Sequence, residues 1–590
     1  MYFSQKYNFK AYFETMIHYT FYQKNPASHY IYIDMLVNDL QEDIVQLQLP
    51  AWRPGRYELG NFAKNIKRLD VWNDKGETLP YQKLSKDLWE VQCLGHKNIK
   101  ITYSYYAAEL NAGACFADEH QMYVNPVHTC LCVIGRENES HQIQLNIPSD
   151  YKIASSLKQQ NQLLLADNFE DLVDSPFMAS PSLQSDFYEV NNIKFYLHFI
   201  GECQPDWEKF KRDFSAFTTY QIKFWGDFPY DEFHFLFQVL PVKFYHGVEH
   251  KKSTVIAIGP GYQLNQGETY ESVLGVSCHE LFHVWNIKTI RPLEMMPYNY
   301  TKENYARTGY VYEGFTTYYG DKLLLSSAVF NEQDYFLTFN ERLQKHFHNY
   351  GRYNLSVAHS SWDTWLDGYV PGAPYRKTNI YDEGNLIALI LDAKILKATQ
   401  NKKSLKDVCQ LLYTRYGKTA KGYSENDIMA IVNEVLGTNV DDFFKQYVYA
   451  AADYEVPLHE AFEYLGLSLI KNPSAHINEN LYGFKIIDTN GVAKISLVAP
   501  YSPAWKAGLF QGDDIIAVNG HMIRNNLQHW LNYYQQAESI ELTVNKAELL
   551  HNIQLKKDSK NQTYFSNPQV KINAEASAEQ NANFNAWKNS

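Results

Sequence analysis

Two histidines stand four residues apart in the stretch SCHELFHVWNIKTIRP, residues 277–292, with Glu280 directly after the first of them, His279, and three residues before the second, His283. Apolar residues recur around them at helical spacing, and on a helix positions i and i+4 project from one face about one turn apart. Two imidazoles so placed can grip one metal ion, and a carboxylate beside the first can reach a water on that ion. The same spacing also suits two half-buried histidines bonded to backbone carbonyls. A catalytic zinc site takes three protein ligands and keeps a fourth position for water. Glu313, in the helical-looking GYVYEGFTTYYGDKLL, is the candidate third ligand; its alternative reading is a solvated helix carboxylate. Cys278 diverges from His279 by about 100° around a helix, which assigns it to packing.

These residues need elements to hold them. Up to about residue 185 the pattern is β: YIYIDMLV, DIVQLQL and IKITYSYYA alternate apolar with polar residues, with the turn-rich PAWRPGRYELG between. From about 186 strands continue (KFYLHFIG, FHFLFQVLP) and give way to helical patterns near 270–290, 303–328, 382–399, 403–416 and 425–448. The fold expected is multidomain α+β: an N-terminal antiparallel β domain over 1–185, an α+β domain with a trailing helical subdomain over 186–455, and a smaller strand-and-turn domain over 456–560. The last stretch, 561–590, is small and polar and is expected to be a mostly disordered tail.

Composition narrows the function. A net charge of -12 offers no basic face for phosphates, which argues against nucleic acid. No window reaches about 18 uninterrupted apolar residues, and the start lacks a basic segment followed by an apolar run, so the chain is expected to be unexported and without a membrane span. Seven cysteines without CxxC spacing suit a reducing, cytoplasmic compartment. Cys130 and Cys132 near His128 form a CxC with no second pair and are read as buried small hydrophobes rather than a metal cluster.

The run HELFHVWNIKTIRP, followed 30 residues after His283 by EGFTTYYGD, resembles the glycyl aminopeptidase family, PDZ-bearing zinc metallopeptidases with a thermolysin-like catalytic domain. The likeness takes in Trp285, Asn286, Lys288, Arg291 and Pro292 besides the histidine pair. FYHGVEHKKST is similar to that family's exopeptidase segment, NIYDEGNLIALILDAKI to its catalytic-tyrosine segment, and LPAWRPGRYELGNFAKNI to its N-terminal signature. The resemblance implies hydrolysis of the first peptide bond of a peptide, with a preference for small N-terminal residues such as glycine or alanine. It implies one Zn2+ per chain on His279, His283 and Glu313, and Glu280 as the proton-transfer group. Tyr381 would stabilise the developing oxyanion, a role the sequence alone could not single out among 46 tyrosines. Glu249, with Gly247, would receive the substrate ammonium by charge-assisted hydrogen bonds. The sequence departs from the family at Tyr310, where tryptophan is common, at Ile380, where a second tyrosine is usual, and at Glu383, where lysine is usual. The last reverses a charge near the expected pocket.

YGFKIIDTNGVAKISLVAPYSPAWKAGLFQGDDIIAVNGHMI resembles a PDZ domain, with Val492, Ile495, Leu497, Ile515, Ile516 and Val518 as its expected core. Tyr482, Gly483 and Phe484 would form the loop and strand that face a peptide or protein C-terminus. A structural appendage that binds nothing is the alternative. Competing readings of the whole chain are a zinc endopeptidase and a peptide-binding scaffold with an idle metal site.

Overall fold

The alternating segments become the strands their pattern predicts. Tyr30–Val37 pairs antiparallel with Ile99–Tyr106, and Ile31, Ile33, Met35 and Val37 all face inward with no exposed surface. A computed structural model describes residues 17–370, 372–489, 491–558 and 564–590; most of the chain's start, on which the expectation of no export rests, lies outside the described residues. Within these limits the chain is mixed α+β. It folds as two units, the first running through Tyr305 with Tyr413–Tyr423 added, the second comprising Ala306–Leu412 and Ser424–Ser590. The division therefore cuts the expected 186–455 segment near residue 305.

In the first unit, a seven-stranded sheet and two four-stranded sheets make the N-terminal β domain. A five-stranded mixed sheet follows, in the order Gln184–Val190, Ile193–Ile200, Glu232–Val239, Ser253–Gly259 and Phe244–Glu249. Its three inner strands are parallel and its last strand is an antiparallel edge. Helix Trp207–Trp225 links two of the parallel strands. It is capped by the Asp206 side chain, which accepts from the Lys209 N–H at 3.1 Å, and ends at Gly226 with a left-handed φ of 96°. The HExxH helix spans Gly267–Phe282 and packs on the edge of this sheet.

In the second unit, a π-helical turn, Tyr310–Phe315, runs into helix Thr316–Ser326. Helices Glu332–His348, Ile380–Thr399, Leu405–Leu412 and Glu425–Leu436 surround it, and Ile380–Thr399 is almost wholly buried. The PDZ domain orders its strands Phe484–Thr489, Val492–Val498, Asp514–Val518, Ser539–Lys546 and Leu549–Lys556. Its core holds Phe484, Ile495, Ile515, Val518 and Leu542, but Val492, Leu497 and Ile516 alternate away from it. Strand period, not hydrophobicity alone, decides which apolar residues are inside.

The expected floppy tail is corrected by the structure. Strand Asn567–Ile572 pairs antiparallel with Leu467–Asn472, and helix Ala578–Asn589 begins at a capping box formed by Ser577 and Gln580. Trp587 is buried and donates to the Tyr318 hydroxyl at 2.7 Å, while Lys322 donates to Ser590 at 2.7 Å. Averaged composition hid two aromatic anchors, Phe584 and Trp587, placed three residues apart on one helical face. Among the described residues no helix is long and apolar enough to cross a membrane.

Candidate active site

The first unit gathers most of the polar side chains singled out by motif. Strand Phe244–Glu249 passes so close beneath the HExxH helix that a side chain at Gly247 would overlap the Glu280 carboxylate and Val276. Glycine there is a requirement of close approach. Two residues on along the strand, and so on the same face, Glu249 lies over Gly55 of the PAWRPGR loop, where φ is +83° and a Cβ would strike the carboxylate. Ligand atoms of Glu249, Glu280 and His283 all lie within 4.8 Å of one another, and all three residues are buried. Glu249 is 3% exposed, and its Oε1 has no hydrogen-bond partner among the described residues.

The two histidines converge. His283 Nδ1 is 2.7 Å from the carbonyl oxygen of Asn286. A carbonyl can only accept, so Nδ1 carries the proton and Nε2 keeps its lone pair. That Nε2 is 3.0 Å from Nε2 of His279, with the ring planes nearly perpendicular. Asn286 thus contributes its backbone, set by the turn that follows the helix. Cys278 is buried and packs as expected, with the Gln221 amide donating to its sulfur at 3.1 Å.

Sequence reasoning missed the layer behind these groups. Asp174, in the N-terminal β domain, accepts from Lys288 at 2.7 Å and from the Lys251 backbone N–H at 2.8 Å, and His250 Nδ1 lies 3.3 Å away. Burial by itself would raise the Asp174 carboxyl, but Lys288 and His250 outweigh it and hold it well below the ordinary carboxylate range. Burial also lowers His250, with Asp174 opposing. Glu170 in turn accepts from Arg291 at 2.7 Å, and the Arg291 guanidinium lies 4.1 Å above the Tyr298 ring. One acidic turn therefore fixes both the strand end bearing Glu249 and the segment after His283. Partners 77 and 114 residues away leave no local signature.

In the second unit, Glu313 is buried in the π-turn Tyr310–Phe315, at 2% exposure. That turn meets helix Ile380–Thr399 backbone to backbone: a Cβ at Gly314 would collide with the Gly384 backbone, and one at Gly384 with Gly314 and Tyr310. The helix is started by Asn379, whose side chain accepts from the N–H groups of Tyr381 and Asp382 at 2.8 and 3.2 Å. The Tyr381 hydroxyl is 3.0 Å from that of Tyr369. Of the departures, Tyr310 and Ile380 are buried, Ile380 beneath Gly309. Glu383 is 1% exposed, and His346 Nδ1 lies 2.7 Å from its Oε1. The reversed charge is thus taken up inside the fold by a histidine that stacks on Tyr454 at 5.3 Å.

In the PDZ domain, Tyr482 and Phe484 turn their side chains into the core. Gly483 has a left-handed φ of 75°, and its carbonyl accepts from the Ala499 N–H at 2.8 Å.

Comparison with known families and structures matches three segments of the chain and its overall fold. Residues 18–181 match the Peptidase M61 N-terminal domain, residues 272–387 match M61 glycyl aminopeptidase, and residues 494–546 match a PDZ domain. The crystal structure of an aminopeptidase N family protein from Idiomarina loihiensis is similar at 25% identity and a TM-score of 0.89, covering 97% of this chain and 100% of that one. An M1 zinc metallopeptidase from Deinococcus radiodurans is a remote likeness, with 13% identity, a TM-score of 0.45 and coverage of 75% of this chain and 95% of that one. No curated protein matches. With both M61 domain matches in chain order and a PDZ match behind them, this chain is a metallopeptidase with the domain order of the glycyl aminopeptidases it resembles.

Proposed function

We propose that the protein is a zinc aminopeptidase that removes one small residue, glycine or alanine, from the N-terminus of peptides. His279, His283 and Glu313 would hold the ion, one per chain. The donor chemistry fits: His283 keeps a lone pair on Nε2 because Nδ1 is committed to the Asn286 carbonyl, and His279 Nε2 stands 3.0 Å from it. All three residues fall inside the single glycyl aminopeptidase match. Bound zinc supplies a Lewis acid and a water made acidic enough to react near neutral pH.

The chain's own residues supply the rest. Glu280 takes the proton of the attacking water and delivers it to the leaving amine. Tyr381 donates a hydrogen bond to the oxygen on which negative charge develops. Glu249 receives the substrate ammonium.

The observation that carries the exopeptidase reading is the clustering of Glu249, Glu280 and His283 within 4.8 Å. One residue of peptide advances about 3.8 Å between Cα atoms. An ammonium held at Glu249 therefore leaves room for one residue before the bond at Glu280. The absence of a hydrogen-bond partner at Glu249 Oε1 supports the same reading, because a buried carboxylate oxygen is costly until something donates to it.

The test is zinc content together with release from Gly-, Ala- and Leu-p-nitroanilide, with and without chelator, and with N-acetylated counterparts. About one zinc per chain, chelator-sensitive release from Gly or Ala and none from blocked substrates is the expected result. Cleavage of blocked peptides at interior bonds would overturn it in favour of an endopeptidase.

A further inference from the structure

The second unit contains a cavity of about 560 Å³ that Tyr381 lines together with three residues of the PDZ domain, Lys485, Leu497 and Gln511. That volume is in the range of small-ligand sites. Lys485 and Leu497 are direct cross-strand partners, so their side chains leave the sheet on one face. The adjoining pair, Phe484 and Val498, turns the opposite way into the PDZ core. Each carboxylate of the lining already has a basic partner: Asp367 pairs with Arg376 and Lys377, Asp382 with Arg342, and Glu383 with His346. Among the described residues, two ammonium groups in the lining stand outside any ion pair, the exposed Lys345 and the half-buried Lys485.

Lys485 is the one partly withdrawn from water. Its Nζ lies 5.4 Å from the centre of the Phe565 ring, and burial draws its pKa below the ordinary lysine value. Such an ammonium gains more from an anion than one fully hydrated does.

We propose that Lys485 of the PDZ sheet binds the C-terminal carboxylate of a short peptide in this cavity beside Tyr381, and so selects short peptides with a free C-terminus. This rests on the aminopeptidase reading above, in which Tyr381 meets the scissile bond. It gives the PDZ sheet a ligand role on the face opposite its core and separate from its loop at Gly483.

The test compares kcat/KM on Gly-Ala-Phe with that on its C-terminal amide, for wild type, Lys485→Met and Lys485→Arg, alongside Ala-p-nitroanilide. Methionine keeps the aliphatic stem and removes the charge. The expected result is a wild-type preference for the free acid that falls about tenfold in Lys485→Met and returns in Lys485→Arg. An equal response of acid and amide to Lys485→Met, or a wild type that does not distinguish them, would overturn the proposal while leaving anilide hydrolysis intact. A zinc-loaded wild type that cleaves neither the anilide nor either form of Gly-Ala-Phe would overturn the aminopeptidase reading itself, and this inference with it.

Discussion

Glu249 and Glu383 are both glutamates with almost no exposed surface, yet their surroundings are opposite. Glu383 has a histidine nitrogen 2.7 Å away and sits inside the helical core of its unit. Each keeps one oxygen without a hydrogen-bond partner among the described residues, but Glu249 lies over Gly55 and beside the Gly247–Glu280 contact, with ligand atoms of Glu280 and His283 within 4.8 Å. Folding offsets the cost of burying a carboxylate by supplying donors. Where it supplies them the residue is part of the scaffold. Where a carboxylate instead stands against other ligand-capable groups, as Glu249 does against Glu280 and His283, it would be available to the substrate of the proposed reaction. The same logic places Asp174, buried against Lys288, with the scaffold.

Four substitutions would break or sharpen that contrast. Glu280→Gln carries the largest expected effect, a loss of turnover of about 10³-fold with zinc content unchanged, as expected of a proton-transfer group. Retention of turnover in a metal-loaded sample would remove Glu280 from the mechanism. Glu249→Gln comes next, lowering kcat/KM on free-amine substrates about 100-fold, chiefly through KM, because a charge-assisted contact to the ammonium is lost. A fall in kcat alone would place Glu249 with the scaffold.

Asp174→Asn should act on stability, costing on the order of 3 kcal/mol in chemical denaturation at neutral pH because it strands the buried Lys288 ammonium. Its folded pKa is depressed, so the wild-type advantage is complete above the unfolded carboxylate value near 4. It is lost as pH falls from there towards the folded value. Denaturation curves for the pair should converge in acid, and a gap independent of pH would refute the charge argument. Glu383→Gln is expected to be the mildest, about 1 kcal/mol in stability, with kcat/KM changed less than threefold. A large kinetic effect there would mean that the departure from lysine reaches the substrate.

Local spacing carried the reading of the HExxH helix, whereas Glu313 and Tyr381 rested on the resemblance of their segments. His279, Glu280 and His283 share a helix and a turn, and Glu313 and Tyr381 sit in segments whose neighbours are themselves distinctive. Helices Trp207–Trp225 and Glu332–His348 went unread although both announce their starts, the first with Asp206 and the second with an Asn331–Asp334 capping box. Their many aromatic residues blurred the apolar period. Asp174 could not be read at all, since nothing within its own turn marks it as the anchor of Lys288. The tail helix failed for a third reason: two well-placed rings, Phe584 and Trp587, outweigh a polar average once Tyr318 and Phe336 are there to receive them.

The contact of Gly314 with Gly384 has a mechanical consequence. Two helical segments that touch through their backbones have no compressible side chains between them, so a displacement of one is passed to the other almost undiminished. The glutamate next to the first glycine and the tyrosine three residues before the second are, in effect, mounted on a single rigid bracket. Protein engineers reshaping this enzyme could vary residues on either arm with modest effect, whereas one methyl group at the joint would spread the arms and detune both at once.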